Sequence, residues 1–399
     1  MSSSNSFFKE KRAWSRIKDE VLKAYLVPYL AKVSRTRCPI IVADCFAGKG
    51  RFDNGESGSP LIIADAISHQ LADPTTQAIK AVFIEKKYFK NLKENIPQKP
   101  WCHLLEGDYE EKMDYFVNNY PSRNQNLFLY VDPYGIKSIL FSYFEKIHKK
   151  KDLHSVELLL NLNTFGFLRE ACRLLKFKVL ETDTPEDYEP DINTPERLDD
   201  IAGGTYWREI IGRYNACQIK MPEAEELFVT KYCEQLRSVF RYVVNIPIKV
   251  KISHIPKYRI VFATDHVDAL LLMVDNMNKR WAAFREEARN NQFALIEIDF
   301  PNPSIQGACR DIENEIVSFI DTEIELKELL VRLAQKFGIN FSLKDYKDCL
   351  KKMENNQIEV TRIPPLTPAT GKPSTSWDHT KKDLSIKISR RAQWQPPLL

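Results

Sequence analysis

The sequence lacks any long hydrophobic run. No window approaches about 18 uninterrupted apolar residues, and the opening MSSSNSFFKEKRAW has no apolar segment typical of a signal peptide. We therefore expect neither a membrane span nor secretion. The eight cysteines form no C-x2-C pair and no cysteine–histidine cluster at zinc spacing. They indicate reduced thiols in a cytoplasmic protein without a zinc site.

Excess charge is absent from most of the chain. Residues 364–399 carry six basic and two acidic residues, whereas the rest of the chain carries 52 of each sign. The formal net charge of +4 therefore lies entirely in this tail. A basic coat over the whole protein, as a general nucleic-acid binder would have, is excluded.

Strands and helices alternate through the first half of the sequence. Apolar residues at helical spacing predict a helix over 14–33. Short apolar strands, each followed by a helical segment, are then predicted at 39–46, 78–85, 101–107, 126–132 and 155–163. Such alternation predicts a doubly wound α/β fold with a mostly parallel sheet. Two runs rich in Val and Ile, 241–252 and 258–265, predict an antiparallel pair that closes the sheet.

The expected organisation has four parts. An N-terminal helical segment (1–36) precedes an α/β domain (37–300), which carries an insertion at about 178–240. Helix, helix and strand patterns in 301–363 predict a winged-helix-like α+β region. Residues 364–399 form a basic tail, rich in Pro, Ser and Thr, in which alternating apolar residues at 384–388 predict a strand. Trp377 and Trp394 flank that strand and either pack it onto the domain or stack with bases.

Two glycines, Gly48 and Gly50, follow the first predicted strand. Glycine permits a tight turn with positive φ and a close approach of backbone to a ligand. A P-loop is excluded because Lys49 is followed by Gly50 and not by Ser or Thr. The dinucleotide fingerprint fails because Asp53 occupies its third glycine position. A cofactor-binding turn and a plain crossover turn both remain open.

The string D-x-F-A-G-x-G after an apolar strand resembles motif I of class I S-adenosylmethionine-dependent methyltransferases. The resemblance implies that S-adenosyl-L-methionine binds at Asp44, Phe46, Ala47, Gly48 and Gly50. It implies a Rossmann-like sheet, which places ligands at the carboxyl ends of its strands.

Later strand ends continue the resemblance. Glu85 closes the second strand, where the fold has an acceptor for the ribose hydroxyls, and Asp108 follows the third, where the fold contacts the adenine amine. Asp132-Pro133-Tyr134-Gly135 stands at the position of the D/N-P-P-Y motif of amino-methyltransferases. Asp132, Pro133 and Tyr134 are thereby implied to hold a nitrogen nucleophile, although the second proline of the motif is missing.

The order of these motifs is similar to that of the three-Cys-motif partner protein family (TcmP), which also has a G-S-P, here Gly58-Ser59-Pro60. Residues 203–208 (GGTYWR) and 262–277 support the likeness, which spans roughly residues 14–290. It implies a methyltransferase-like protein that works beside a three-cysteine, radical-SAM-like protein. This chain has no C-x3-C-x2-C and would be the partner of such a protein.

Several of these residues also have structural interpretations. Ser59 either lies beside the methionine end of the cofactor or caps a helix with Pro60 at its first position. Asp108 and Asp132 either act in the site or cap the helices that follow them. Glu85 either binds ribose or belongs to a solvated cluster with Lys86 and Lys87.

Two functions remain open at this point. The first is an S-adenosylmethionine-dependent methyltransferase that acts on a nitrogen nucleophile of nucleic acid, DNA or RNA, held by the winged-helix-like region and the tail. The second is a non-catalytic cofactor-binding partner or regulatory subunit of a phage-defence or nucleic-acid-modification system. The intact glycine motif and Asp132 favour the first, whereas the missing proline favours the second.

Overall fold

The computed structural model describes residues 13–76, 78–133, 135–150, 152–177, 192–248, 255–256, 258–289, 305–367 and 371–391. The chain divides into two compact units, the first formed by Met1–Ala269 and Ala282–Asp299, the second by Leu270–Trp281 and Phe300–Leu399. Within the described ranges, no helix is long and apolar enough to cross a membrane.

A seven-stranded sheet forms the centre of the first unit. Its strands are β1 (Ile40–Asp44), β2 (Ile79–Glu85), β3 (Cys102–Glu106), β4 (Asn126–Val131), β5 (Ser155–Leu162), β6 (Tyr242–Ile248) and β7 (Tyr258–Thr264). Their order is β3-β2-β1-β4-β5-β7-β6. Strands β1 to β5 are parallel, and β7 runs antiparallel to both β5 and β6. The parallel strands run in the order 3-2-1-4-5, as in a Rossmann-like doubly wound sheet, and the whole order confirms the predicted doubly wound fold and its antiparallel closing pair.

Helices of the first unit precede, separate and follow these strands along the chain. They are α1 (Ala13–Val33), α2 (Ser59–Leu71), α3 (Phe89–Asn95), α4 (Tyr109–Asn119), α5 (Phe141–His148), α6 (Thr164–Leu174), α7 (Pro195–Ala202), α8 (Tyr206–Asn215), α9 (Met221–Arg237) and α10 (Val267–Arg289), the last shared with the second unit. Every residue of β1, β4 and β5 is buried. Strands covered on both faces are mostly apolar, and this is why the sequence revealed them.

The predicted apolar stripe of α1 is confirmed. Its seven members are each no more than 2% exposed: Ile17, Val21, Leu22, Tyr25, Leu26, Tyr29 and Leu30. The rings of Tyr25 and Tyr29 lie 5.9 and 5.3 Å from the ring of Phe128 on β4. This packing fixes α1 against the sheet.

The region expected to be an insertion contains a helix that the sequence analysis missed. Residues 178–191 lie outside the described ranges, but α7 follows at Pro195–Ala202. Thr194 caps it by accepting a hydrogen bond from the Arg197 amide at 3.3 Å, with a proline in the first turn. Thr-Pro is a helix-start signal, which the acidic composition around it obscured.

Over its described residues, the second unit contains three further helices and a three-stranded sheet. The elements are α11 (Ile305–Phe319), β8 (Glu323–Glu325), α12 (Leu326–Phe337), α13 (Leu343–Met353), β9 (Ile358–Ile363) and β10 (Ser385–Arg390). The sheet is antiparallel, in the order β8-β10-β9.

Strand β10 lies in the tail, where alternation predicted a strand. Ile386 and Ile388 are at most 2% exposed, and the strand pairs with β8 on one side and β9 on the other. Trp377 is 8% exposed and packs under the Arg362 guanidinium, 5.1 Å from the ring centre. Of the two interpretations of Trp377, packing is what the structure shows, and Trp394 lies outside the described residues. Residues 385–390 of the expected tail therefore form the middle strand of this sheet.

Candidate functional site

Sequence-predicted site residues meet at one edge of the large sheet. Asp44 ends β1 and is level with Phe83 on β2 and Tyr130 on β4. Glu85 ends β2, and Asp132 follows β4. The strand order reverses between β1 and β4, and open α/β sheets bind ligands at the carboxyl ends of strands beside such a reversal.

The glycine loop that leaves β1 adopts backbone conformations that side chains disfavour. Gly48 and Gly50 have φ of +63° and +79°. The Ala47 amide donates to the Ile84 carbonyl at 3.0 Å, and the Gly58 amide donates to the Gly50 carbonyl at 2.8 Å. A Cβ at Gly58 would lie 3.2 Å from that carbonyl oxygen. The loop is therefore a close-packed turn, and the positive φ of Gly48 and Gly50 favours glycine at both positions.

Asp44 and Ser59 join the start of this turn to the start of α2 through a hydrogen bond. The Ser59 hydroxyl donates to Asp44 Oδ2 at 2.7 Å, and the Phe46 amide approaches Oδ1 at 3.2 Å. Gly58 is the N-cap of α2, so the interpretation of Ser59 as that cap is wrong, and Pro60 stands second in the helix. Ser59 is the first helical residue, and its side chain turns back to the carboxylate.

Burial raises the pKa of Asp44 to about 7, and hydrogen bonds from Ser59 and Phe46 oppose that effect. The neighbouring carboxylates of Asp132 and Asp19 raise the pKa further by repulsion. Three acidic groups thus act on one another here, although no set of His, Cys, Asp and Glu within the described ranges is arranged to hold a metal ion. The site favours a ligand that carries positive charge.

Glu85 ties the glycine loop to the next helix. Its Oε2 accepts from the Gly48 amide at 2.7 Å, and its Oε1 accepts from the amides of Lys87 and Tyr88 at 2.7 and 2.9 Å. A solvated charge cluster would not make these backbone contacts. A carboxylate has about four acceptor positions, so roughly one remains for a ligand hydroxyl.

Phe46 and Asp108 lie on the side of β3. The Phe46 ring stacks on Tyr109 with centroids 4.5 Å apart. Asp108 occupies the N-cap position of α4 without a side-chain capping bond. Its carboxylate, 62% exposed, pairs with Lys86 at 2.7 Å. Asp108 is therefore an exposed group at the rim, separate from the buried Asp44 cluster.

Asp132 is held by residues from three elements. Its Oδ1 accepts from Lys18 Nζ on α1 at 2.8 Å and from Asn161 Nδ2 on β5 at 2.6 Å. Its Oδ2 lies 3.4 Å from the Tyr130 hydroxyl. The next helix, α5, begins only at Phe141, so the interpretation of Asp132 as a helix cap is wrong. Pro133 is buried, and Tyr134 lies outside the described residues.

Lys18 and Asn161 were not found by sequence reasoning. Lys18 is separated from Asp132 by 114 positions and lies in a helix whose only clear signal is its apolar stripe. Asn161 gave a signal that was overlooked, because an amide inside the otherwise apolar strand LLLNLN needs a polar partner. Such residues become visible only when strand order is known.

The GGTYWR segment has a structural role. The Trp207 indole is fully buried and donates to Asp199 Oδ1 at 2.8 Å, and Arg208 pairs with the same carboxylate. Gly203, with φ of +69°, packs against the Phe141 ring. The segment joins α7 to α8.

Similarity to known proteins is confined to remote structural likeness. No family model matches the chain, and no curated protein sequence matches it. Similar solved structures include human methyltransferase-like protein 13 in complex with SAH (11% identity, TM-score 0.32, covering 67% of this chain and 91% of that one). They also include an O-methyltransferase from Bacillus cereus in complex with SAH (11% identity, TM-score 0.31, covering 66% of this chain and 86% of that one). A third is the plantazolicin methyltransferase BamL, in complex with a triazolic desmethylPZN analog and SAH (12% identity, TM-score 0.29, covering 66% of this chain and 91% of that one). At such values the strand order of the sheet, and not these likenesses, carries the fold assignment.

Proposed function

We propose that the protein is an S-adenosylmethionine-dependent methyltransferase that acts on a nitrogen nucleophile of nucleic acid. The observation that carries this proposal is the glycine loop at the reversal point of the sheet, with Asp44 beneath it and Asp132 on the adjacent strand end. Loop and carboxylates together suit a nucleoside-linked cation. The finer resemblance to the three-Cys-motif partner family, with a radical-SAM-like protein as partner, belongs to the same proposal.

The residues present fit this cofactor. Gly48 and Gly50 hold the turn at positive φ, a backbone conformation in which a ligand can approach the main chain closely. Glu85 keeps about one acceptor position for a ribose hydroxyl, and Asp108 at the rim is the acceptor for the adenine amine. Ser59 and Asp44 face the cationic methionine end. When bound, S-adenosylmethionine supplies a methyl group on a positively charged sulfur.

Asp132 is the residue that orients the nucleophile. Its Oδ1 has two strong donors, so Oδ2 is the oxygen left to accept an N–H from the substrate. That bond directs the nitrogen lone pair away from Asp132, and alignment of this kind supplies much of the rate of an in-line displacement. Pro133, which is buried, follows Asp132 in the turn, and stacking on the acceptor ring is the role that the motif resemblance implies for Tyr134.

Replacement of Asp132 by alanine is expected to lower methyl transfer by about 100-fold or more, with little change in cofactor affinity, because the interaction acts mainly in the transition state. Transfer is measured by incubating the protein with methyl-labelled S-adenosylmethionine and separate DNA, RNA and protein fractions. Label is expected in a nucleic-acid fraction.

A matched control for this variant is Asp114→Ala, which removes an exposed carboxylate paired with Lys146 on the same unit. Normal turnover by Asp132→Ala would disprove its role. Cofactor binding without label in any fraction would favour the non-catalytic, regulatory function instead.

The second unit supports a nucleic-acid substrate. Its element order of helix, strand, two helices and two strands matches that of a winged helix. Lys344 and Lys352 on α13 are exposed, as are Lys381 and Lys382 before β10. Exposed lysines near a helix and a strand pair are suited to phosphate contacts.

Neutralising Lys381 and Lys382 by glutamine is expected to weaken binding of a DNA or RNA duplex and to lower its salt slope by roughly 2, because each neutralised phosphate releases counterions. Fluorescence anisotropy across a salt series measures both. Deleting the tail is a poor test, since it removes β10 from the sheet. Lys146→Gln with Lys149→Gln on α5 is the control, and an unchanged slope in the test variant would show that the substrate is held elsewhere.

A further inference from the structure

The two oxygens of Asp132 have unequal surroundings. Oδ1 receives a charged donor from Lys18 at 2.8 Å and a neutral donor from Asn161 at 2.6 Å. Over the described residues, Oδ2 has one long contact, 3.4 Å to the Tyr130 hydroxyl. The side chain of Asp132 is 20% exposed, compared with 10% for Lys18. Oδ1 therefore has its acceptor positions filled, whereas Oδ2 keeps acceptor capacity.

Lys18 is a fixed part of this arrangement. Its neighbours Ile17 and Val21 are at most 2% exposed and anchor α1. The Lys18 ammonium also lies 5.3 Å from the centre of the Tyr258 ring at the start of β7. A cation held between a carboxylate and an aromatic face has little freedom to move aside for a substrate.

The charges around this ammonium come from several elements. Asp132 and Asp44 follow or end β4 and β1, and Asp19 is the next residue of α1, 8% exposed. Burial raises the pKa of Asp44, and repulsion from the carboxylates of Asp132 and Asp19 raises it further. Lys18 offsets the negative charge of Asp132, which is the carboxylate proposed to bind the methyl acceptor.

We infer that Lys18 is a specificity-determining residue of the acceptor site, which selects a neutral N–H group and disfavours an ammonium. This inference rests on the proposed function. The reason is electrostatic: a second cation brought to Oδ2 would be repelled by Lys18, whereas an uncharged amino group needs only the free lone pair of Oδ2. The exocyclic amino group of a nucleobase is such a neutral donor. The ammonium group of a lysine side chain or a polyamine is not.

Sinefungin is a suitable probe for this site. It is the analogue of S-adenosylmethionine in which a carbon-bound amine replaces the methylsulfonium, so its extra ammonium points to the acceptor. Calorimetry on the full chain gives the affinities for sinefungin and for SAH. Their ratio reports how well the acceptor site tolerates a cation, and no knowledge of the natural substrate is needed.

Lys18→Gln keeps a hydrogen-bond donor and removes only the charge, and it is expected to raise the preference for sinefungin over SAH by about tenfold. Lys18→Arg should restore the wild-type ratio. Lys23→Gln, an exposed lysine on the same helix, is the matched control and should leave the ratio unchanged. Adding Asp132→Asn to Lys18→Gln should abolish the gain, because the attracting charge is then gone.

An unchanged ratio in Lys18→Gln, with normal SAH affinity, would overturn this inference and leave the proposed function standing. Lys18→Met serves as a second uncharged variant if the glutamine variant does not fold. A wild-type protein that binds neither nucleoside would overturn the proposed function and the inference together.

Discussion

Gly48→Val is expected to abolish binding of S-adenosylmethionine and SAH, which the wild-type protein should bind with a Kd on the order of micromolar. Gly48 has φ of +63°, and its amide donates to Glu85 at 2.7 Å. A β-branched residue is strongly disfavoured in that conformation, so the turn must change shape. The change would separate the loop from Glu85 and close the approach to the backbone. Isothermal titration calorimetry measures the loss.

Gly55→Val is the matched control for this variant. Gly55 lies in the same connection, has φ of +89°, and a Cβ built there meets no atom within 4 Å. It therefore suffers the same kind of backbone strain without facing the site. Equal loss of binding in both variants would attribute the effect to general strain in the loop. Retained binding in Gly48→Val would contradict the proposed cofactor site.

The second large effect concerns stability and pH. The pKa of Asp44 is about 7 in the folded protein because of burial, compared with 3.8 as its ordinary value. The folded protein keeps this proton up to about pH 7, whereas the unfolded chain releases it near pH 3.8. Raising the pH through that interval therefore favours unfolding. Between the two pKa values, the contribution of Asp44 to the free energy of unfolding falls by roughly 4 kcal/mol.

Asp44→Asn should remove this dependence, so that the free energy of unfolding of the variant exceeds that of the wild type increasingly as pH rises from about 4 to about 7. Denaturant unfolding at a series of pH values measures the difference. Burial also raises the pKa of Glu157, to about 8, but that contribution is common to both proteins and cancels. Ser59→Ala should raise the pKa of Asp44 further, because it removes a hydrogen bond that lowers it. A difference that does not vary with pH would contradict the assignment.

Sequence alone predicted the features that depend on local pattern. The five parallel strands were visible because each is a short, mostly apolar run, although β3 is only partly buried, and the helix stripe of α1 was visible because its members recur at helical spacing. The glycine turn was visible because Gly48 and Gly50 stand where a strand ends. Local signals of this kind need no knowledge of the tertiary contacts.

Other features depend on contacts between distant parts of the chain, which composition does not encode. The Lys18–Asp132 pair joins residues 114 positions apart, and nothing around Lys18 distinguishes it from an exposed helical lysine. Strands at 357–363 and 384–388 were predicted from their patterns, but the pairing of β10 with β9 and with β8 was not. Pairing across long loops is decided by tertiary packing.

The middle position of β10 has a consequence for synthesis on the ribosome. Strands β8 and β9 do not pair with each other, and β10 is made after both of them. Their open edges stay without a neighbour until the last of the three has emerged, and such edges favour association between nascent chains. Translation that stops before residue 385 would leave this sheet incomplete, even though all seven strands of the first unit had been made.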